Sequence, residues 1–197
     1  MKNKNIIGLG GVAGAGKDLF FTLLSQKLNV KRFSLADELK QETRPWCIKH
    51  YGIDSVSCPR REKEAIRPFL VFHGSQKRSR TNGRYWIDKL NEKIKNDNSK
   101  NIVVTDIRYD DYEKDEVHWL KEELGGKLIH LRQYEQIPDS NEGALIRRYK
   151  EPINDEEARN DPKLREKADH KVDWPNLKKV DHDILWKEIE WVTCLFE

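Results

Sequence analysis

The stretch Gly11-Val12-Ala13-Gly14-Ala15-Gly16-Lys17-Asp18 has the residue types and spacing needed to hold phosphate. Glycines let successive backbone N–H groups turn inward around an anion, and a helix opening directly after them adds the positive end of its dipole. Lys17 supplies a mobile cation for the outer phosphates and completes a G-x-x-x-x-G-K pattern. The pattern has meaning only between a strand and a helix. Ile6-Ile7-Gly8-Leu9 precedes it and Leu19-Phe20-Phe21-Thr22-Leu23-Leu24 follows, so both are present. Asp18 stands where a serine or threonine is usual. Its carboxylate either gives a magnesium ion an oxygen, directly or through water, or complements the helix dipole. Two other readings compete: Gly8-x-Gly10-x-x-Ala13 as a dinucleotide fingerprint with Asp37 as its ribose acid, or a plain glycine turn. Neither needs a lysine at position 17.

Asn101-Ile102-Val103-Val104-Thr105-Asp106 is an apolar strand ending in an acid. Ligands of open parallel sheets bind beyond the carboxyl ends of the strands, which puts Asp106 beside the phosphate loop as a second candidate for magnesium. Arg108 follows two residues later, on the same side of an extended chain. Its planar guanidinium matches phosphate oxygens; a surface ion pair is the plainer alternative. Arg67, Arg78, Arg80 and Arg84 are interleaved with Phe69, Phe72, Tyr85 and Trp86, a mixture suited to a nucleotide acceptor. Phe69 and Phe72 fall at helical spacing and read as core, leaving Trp86 as the candidate for stacking a base. His170 and His182 lack metal-ligand spacing and read as surface residues.

The elements that must position these groups alternate between apolar runs and amphipathic segments, which predicts an α/β fold around a five-stranded, mainly parallel sheet. The expected strands are 5–10, 31–35, 101–107, 127–131 and 180–185. The expected helices are 17–28, 37–51, 62–74, 85–96, 112–124 and 186–195. About three helices between the second and third strands make residues 37–98 an insertion of flap size. Residues 133–175 form a polar excursion carrying four prolines, among them Pro138 and Pro152, and the pair Arg147 and Arg148. That excursion reads as a lid or as a solvated helix face, and as a lid it would bring one of the two arginines to the phosphates.

The chain of 197 residues is expected to form one domain, 1–197. Its 37 basic and 34 acidic side chains nearly balance at a net charge of +3, so composition gives no reason to expect a nucleic-acid partner. Cys47, Cys58 and Cys194 are odd in number and form no C-x-x-C pair, consistent with a reduced, cytoplasmic protein without a zinc site. No leader or membrane-spanning pattern is evident, so no membrane partner is expected.

Four blocks together resemble the bacteriophage-type deoxynucleoside monophosphate kinases, within the P-loop nucleoside monophosphate kinases. They are Gly11–Asp18; Phe33-Ser34-Leu35-Ala36-Asp37-Glu38-Leu39-Lys40; Arg67-Pro68-Phe69-Leu70-Val71-Phe72-His73-Gly74-Ser75-Gln76 with the following arginines and Tyr85-Trp86-Ile87; and Val104-Thr105-Asp106-Ile107-Arg108-Tyr109 followed by Leu124 to Arg132. The resemblance implies ATP as co-substrate, Mg2+ as cofactor, a (deoxy)nucleoside monophosphate as acceptor, and the host cytoplasm as location if the chain is phage-encoded. It implies acceptor contacts from Asp37, Lys40, Arg67, Trp86 and Arg108, with Arg80 or Arg78 as a further arginine, and places Arg132 near the phosphates. Leu19 departs from the small hydroxyl residue that often follows the aspartate. A homodimer is left open. The alternatives are a P-loop kinase of another phosphorylated small molecule, a nucleotide-binding module without turnover and, further off, a nicotinamide-binding oxidoreductase.

Overall fold

In a computed structural model the described residues are 4–138, 145–176 and 181–196. The apolar run Asn5–Gly10 forms β1 and delivers the chain to the glycine loop, after which Lys17–Lys27 forms α1. β2 is short, Lys31–Phe33, because Ser34 ends it and α2, Leu35–Tyr51, starts at once. α3 (Arg60–Arg80) and α4 (Arg84–Asn96) complete the expected insertion, which has its own small core of Cys47, Ile66 and Leu70. β3, Asn101–Ile107, returns to the sheet. A short α5, Glu116–His118, continues as a π-turn over Trp119–Glu123 and leads into β4, Lys127–Pro138. The chain then adds β5 (Leu145–Tyr149), α6 (Asp155–Lys167), β6 (His170–Pro175) and α7 (His182–Ile189), which ends in a 3-10 turn, Glu190–Phe196.

The sheet has six strands in the order β2-β3-β1-β4-β5, with β6 also paired to β4. β2, β3, β1, β4 and β6 run parallel, and β5 alone is antiparallel. Alternation along β1 sends Ile7 and Leu9 into one core with Phe20, Leu24 and Trp174, and Ile6 into another with Leu90, Val104 and Trp119. Two buried faces are what a parallel sheet between helical layers requires, which is why its central strands read as continuous apolar runs.

Several expectations change. The strand expected at 180–185 is the start of α7 from His182 onward, with residue 180 outside the described residues. Asp181 accepts hydrogen bonds from the Asp183 and Ile184 amides and caps that helix. The fifth parallel strand is β6, drawn from the polar excursion. Val172 and Trp174 alternate inward between Lys171 and Asp173, and the pairing Leu131↔Val172 secures them. β4 runs beyond residue 131 because residues Tyr134–Pro138 pair with β5, giving a six-stranded sheet in place of five. The 112–124 helix starts late, at Glu116, behind the Asp115 cap.

Candidate active site

The loop closes around its own lysine. Lys17 Nζ donates to the Gly11 and Val12 carbonyls at 2.5 and 2.9 Å. Burial, and secondarily the positive charge of Arg108, lower its pKa from 10.5 to about 8. A cation held at such a disadvantage is one whose surroundings are arranged for an anion. The loop's course requires glycine at two close approaches. Gly11 has φ 127° and an added Cβ would lie 2.3 Å from the Leu131 carbonyl oxygen; at Gly16, φ 91°, it would lie 2.4 Å from Trp174 Cζ2. Trp174 Nε1 also donates to the Ala15 carbonyl at 2.9 Å, so β6 fastens the loop from beneath.

A cleft of about 510 Å³ opens from the loop. Ala13, Gly14, Gly16, Lys17 and Asp18 form its phosphate end, and Leu35, Leu39, Leu70, Val71 and Trp86 give it an apolar wall. Arg32, Lys40, Lys63, Arg67 and Arg108 bring cations to its rim, and the buried Arg78 lies in its wall. A more open hollow of about 470 Å³ lies beside α6, lined by Glu151, Asp155 and Asp161 among others; its acidic wall disfavours phosphate.

Asp106 lies at the end of β3 and lines the cleft, as expected of a strand-end acid. Its carboxylate accepts from Ser34 Oγ at 2.8 Å and from the Leu35 and Ala36 amides at 2.9 and 2.7 Å, capping α2. Most of the four acceptor positions of a carboxylate are thus taken, and the remaining one suits a metal-bound water better than direct ligation. The Asp18 side chain is 92% exposed, with Arg32 4.0 Å away, and its oxygens are open to the cleft. Among the described residues no cluster of three or more acids, histidines or cysteines could hold a metal ion. These two acids fit a magnesium ion that arrives with a nucleotide and keeps most of its ligands from phosphate and water.

The acceptor candidates divide. Lys40, Arg67 and Arg108 line the cleft, and Arg67 also pairs with Glu64 at 2.7 Å. Asp37 lies behind the cleft lining, between Arg32 at 2.6 Å and Lys40 at 2.9 Å. Burial opposes its charge, but those two hydrogen bonds hold its pKa below the usual value. Arg80 ends α3 on the exposed side; two residues are more than half a helical turn, so Arg78 faces inward in its place. Arg78 is buried, meets Asp115 at 2.9 Å and Glu116 at 3.1 Å, and lies 3.8 Å over the Tyr109 ring. Glu116 in turn accepts from the Arg108 and Tyr109 amides at 2.6 and 3.1 Å, and burial pushes its carboxyl up to about 8. Trp86 lines the wall but is only 5% exposed, with its Nε1 donating to the Gly74 carbonyl. It belongs to the core and offers no open face for a base.

The lid expectation also changes. Arg147 and Arg148 lie on β5, an extended strand, where neighbouring side chains point to opposite faces. Arg147 covers the Tyr134 ring at 4.4 Å and Arg148 pairs with Glu135 at 3.1 Å; neither lines the cleft. Arg132 is held by Asp173 at 2.6 Å and by the Tyr149 ring at 3.9 Å, also outside the cleft lining. The cation that does reach the loop is Lys150, the residue after β5. A Cβ on Gly14 would meet its Cε at 2.9 Å and its Nζ at 3.1 Å. Among the described residues Lys150 has no ion-pair partner within 4.0 Å. Sequence reasoning stopped at the neighbouring arginine pair; Lys150 has no motif to betray it. Arg32 and Lys63 were likewise missed as rim cations.

Sheet order and loop together define an α/β fold, a mainly parallel sheet between helices with a glycine-rich turn after its strand β1. No family model matches the chain, and no curated protein matches it. Among solved structures it is similar to a dephospho-CoA kinase from Campylobacter jejuni, at 16% identity over 96% of each chain with a TM-score of 0.45. It is also similar to a shikimate kinase from Aquifex aeolicus vf5, at 18% identity over 98% of this chain and 99% of that one, with a TM-score of 0.41. Likenesses of that size say nothing of what this chain acts on. No helix among the described residues is long and apolar enough to cross a membrane.

Proposed function

We propose that the protein transfers the terminal phosphoryl group of ATP to a (deoxy)nucleoside monophosphate. The observation that carries this reading is one continuous cleft, with a phosphate loop and buried Lys17 at one end and the rim cations Lys40, Lys63, Arg67 and Arg108 along an apolar wall. A doubly anionic, partly apolar acceptor suits that lining. The blocks that carry the sequence resemblance border the same cleft through Leu35 to Lys40, Arg67 to Ser75 and Thr105 to Tyr109.

Phosphoryl transfer asks the protein mainly for in-line positioning and charge neutralisation. The loop amides orient the donor phosphates, and Lys17 offsets the charge that builds on the leaving oxygen. Arg108, fixed by the Glu116 hold on its amide, faces the acceptor phosphate; Lys150 closes over the loop from β5. Magnesium bound with ATP would supply further positive charge against the donor phosphates. Asp18 would touch it, and Asp106 would hold one of its waters. The α2–α4 insertion supplies the acceptor side and keeps bulk water from the transferred group.

The buried face of Trp86 favours a second reading, in which the acceptor is another phosphorylated small molecule without a base. Both are tested by following ADP release from ATP–Mg2+ against a panel of nucleoside and deoxynucleoside monophosphates and phosphorylated metabolites. The first reading expects turnover with at least one monophosphate nucleotide. Turnover only with a non-nucleotide phosphate selects the second, and no turnover with any acceptor overturns both.

A further inference from the structure

The phosphate loop is engaged by an anion of the chain's own. Both carboxylate oxygens of Glu157, in the first turn of α6, accept from the Ala13 amide at 3.2 Å, and Oε1 also lies 3.4 Å from Arg108 Nη1. The side chain is 12% exposed, and its charge acts on Lys17. Ala13 and Arg108 both line the cleft. The carboxylate therefore sits between the donor loop and the acceptor-side arginine, where a phosphoryl group in transfer would have to pass.

Helix capping explains part of this arrangement. Asn154 and Glu157 have capping-box spacing: Asn154 Oδ1 accepts from the Glu157 amide at 2.8 Å, and Glu157 Oε2 accepts from the Ile153 amide at 3.3 Å. A glutamine caps as well as a glutamate. The α6 dipole favours a negative charge here, as at Asp155 and Glu156; what neither the cap nor the dipole explains is that this carboxylate turns onto the loop amide and Arg108. A carboxylate takes the place of a phosphate oxygen pair in such a nest.

We infer that Glu157 is a specificity-determining residue of the nucleotide site. Its carboxylate holds the place of the outermost phosphate, and a nucleotide long enough to reach the Ala13 amide must displace it. Two anions do not share one amide and one arginine without strong repulsion. A nucleoside triphosphate therefore binds against the cost of moving Glu157 and the α6 turn that carries it. A diphosphate, ending nearer the α1 N-terminus, leaves Glu157 seated. The inference rests on the phosphate-loop reading proposed above.

The test is calorimetric titration of ATP–Mg2+ and ADP–Mg2+ into the whole protein without acceptor, for the wild type, Glu157→Gln and Glu157→Ala, with thermal unfolding of each alongside. Glu157→Gln keeps the cap and removes the charge. It is expected to bind ATP at least about tenfold more tightly and ADP within about twofold of wild type, with an unfolding temperature lowered less than in Glu157→Ala. Glu157→Ala should show the same nucleotide pattern with a lower unfolding temperature from the lost cap. Unchanged or weaker ATP binding in both variants overturns the inference and leaves the proposed function standing. So does an equal gain for ADP, which reports a general charge effect. If no form binds either nucleotide, the phosphate-loop reading fails and this inference falls with it.

Discussion

Lys17→Met should abolish phosphoryl transfer and yet make the protein more stable at neutral pH. The structure holds Lys17 at a pKa of about 8, down from 10.5, through burial and the charge of Arg108. That difference corresponds to about 3 kcal/mol opposing the folded state while the side chain is charged. Methionine has similar length and carries no charge. It forfeits the bonds from Lys17 to the Gly11 and Val12 carbonyls, worth about 1 kcal/mol each, so the net gain is about 1–2 kcal/mol. In a chain of this size that raises the unfolding temperature by about 2–8 °C. The pH dependence supplies a sharper check. Between pH 8 and 10.5 the unfolded chain binds more protons at position 17 than the folded one, so the stability of the wild type rises with pH relative to the variant. The gap should close and then reverse across that window, because Lys17 loses its charge in the folded state first and keeps its two hydrogen bonds. Scanning calorimetry at pH 7, 9 and 10 reads the gap, and a coupled ADP-release assay reads activity, where a loss of about a hundredfold or more is expected. A variant less stable than wild type at pH 7, with a gap that does not move with pH, would refute the reasoning.

Arg78→Met should cost about 3–5 kcal/mol in denaturant unfolding, because it leaves the buried Asp115 carboxylate without its cation and the Glu116 carboxyl without one of its donors; a loss under about 1 kcal/mol would show that the pair does not need its arginine. Gly16→Ala meets both a left-handed φ and the Trp174 ring, so nucleotide binding should disappear and stability fall by more than about 2 kcal/mol; wild-type ATP affinity in that variant would contradict the loop geometry. Lys150→Ala should lower turnover by about tenfold, with Lys150→Arg restoring part of it, whereas Arg147→Ala and Arg148→Ala should stay within about twofold of wild type. Steady-state kinetics on the four variants decides it, and a reversed order would return the lid role to the arginine pair.

The loop end of the cleft was legible because its residues are contiguous. A strand, a glycine-rich turn, a lysine and a helix follow one another in residues 5–27, and nothing distant is needed to recognise them. Asp106 and Arg108 were legible for a related reason, since a strand with an apolar run through its middle announces where its carboxyl end lies. β6 was hidden because the inward Val172 and Trp174 alternate with the charged Lys171 and Asp173; only the edge of β4 makes that alternation a strand. The inward turn of Arg78 in preference to Arg80 depended on the rotation of α3 against Asp115 and Glu116, which no spacing within the helix reports.

By itself the sequence determined the glycine-rich turn between β1 and α1, the order of the central elements and the existence of a helical insertion between β2 and β3, because those follow from local backbone chemistry and from the period of the apolar residues. The tertiary structure alone decided which charges meet at the loop. Lys150 reaches Gly14, and Glu157 reaches Ala13 from 144 positions away, because β5 and α6 fold back along the end of β4. Charged side chains carry no local periodic signature of their partners, and their roles are set by whatever the packing of distant apolar residues brings within a few ångströms.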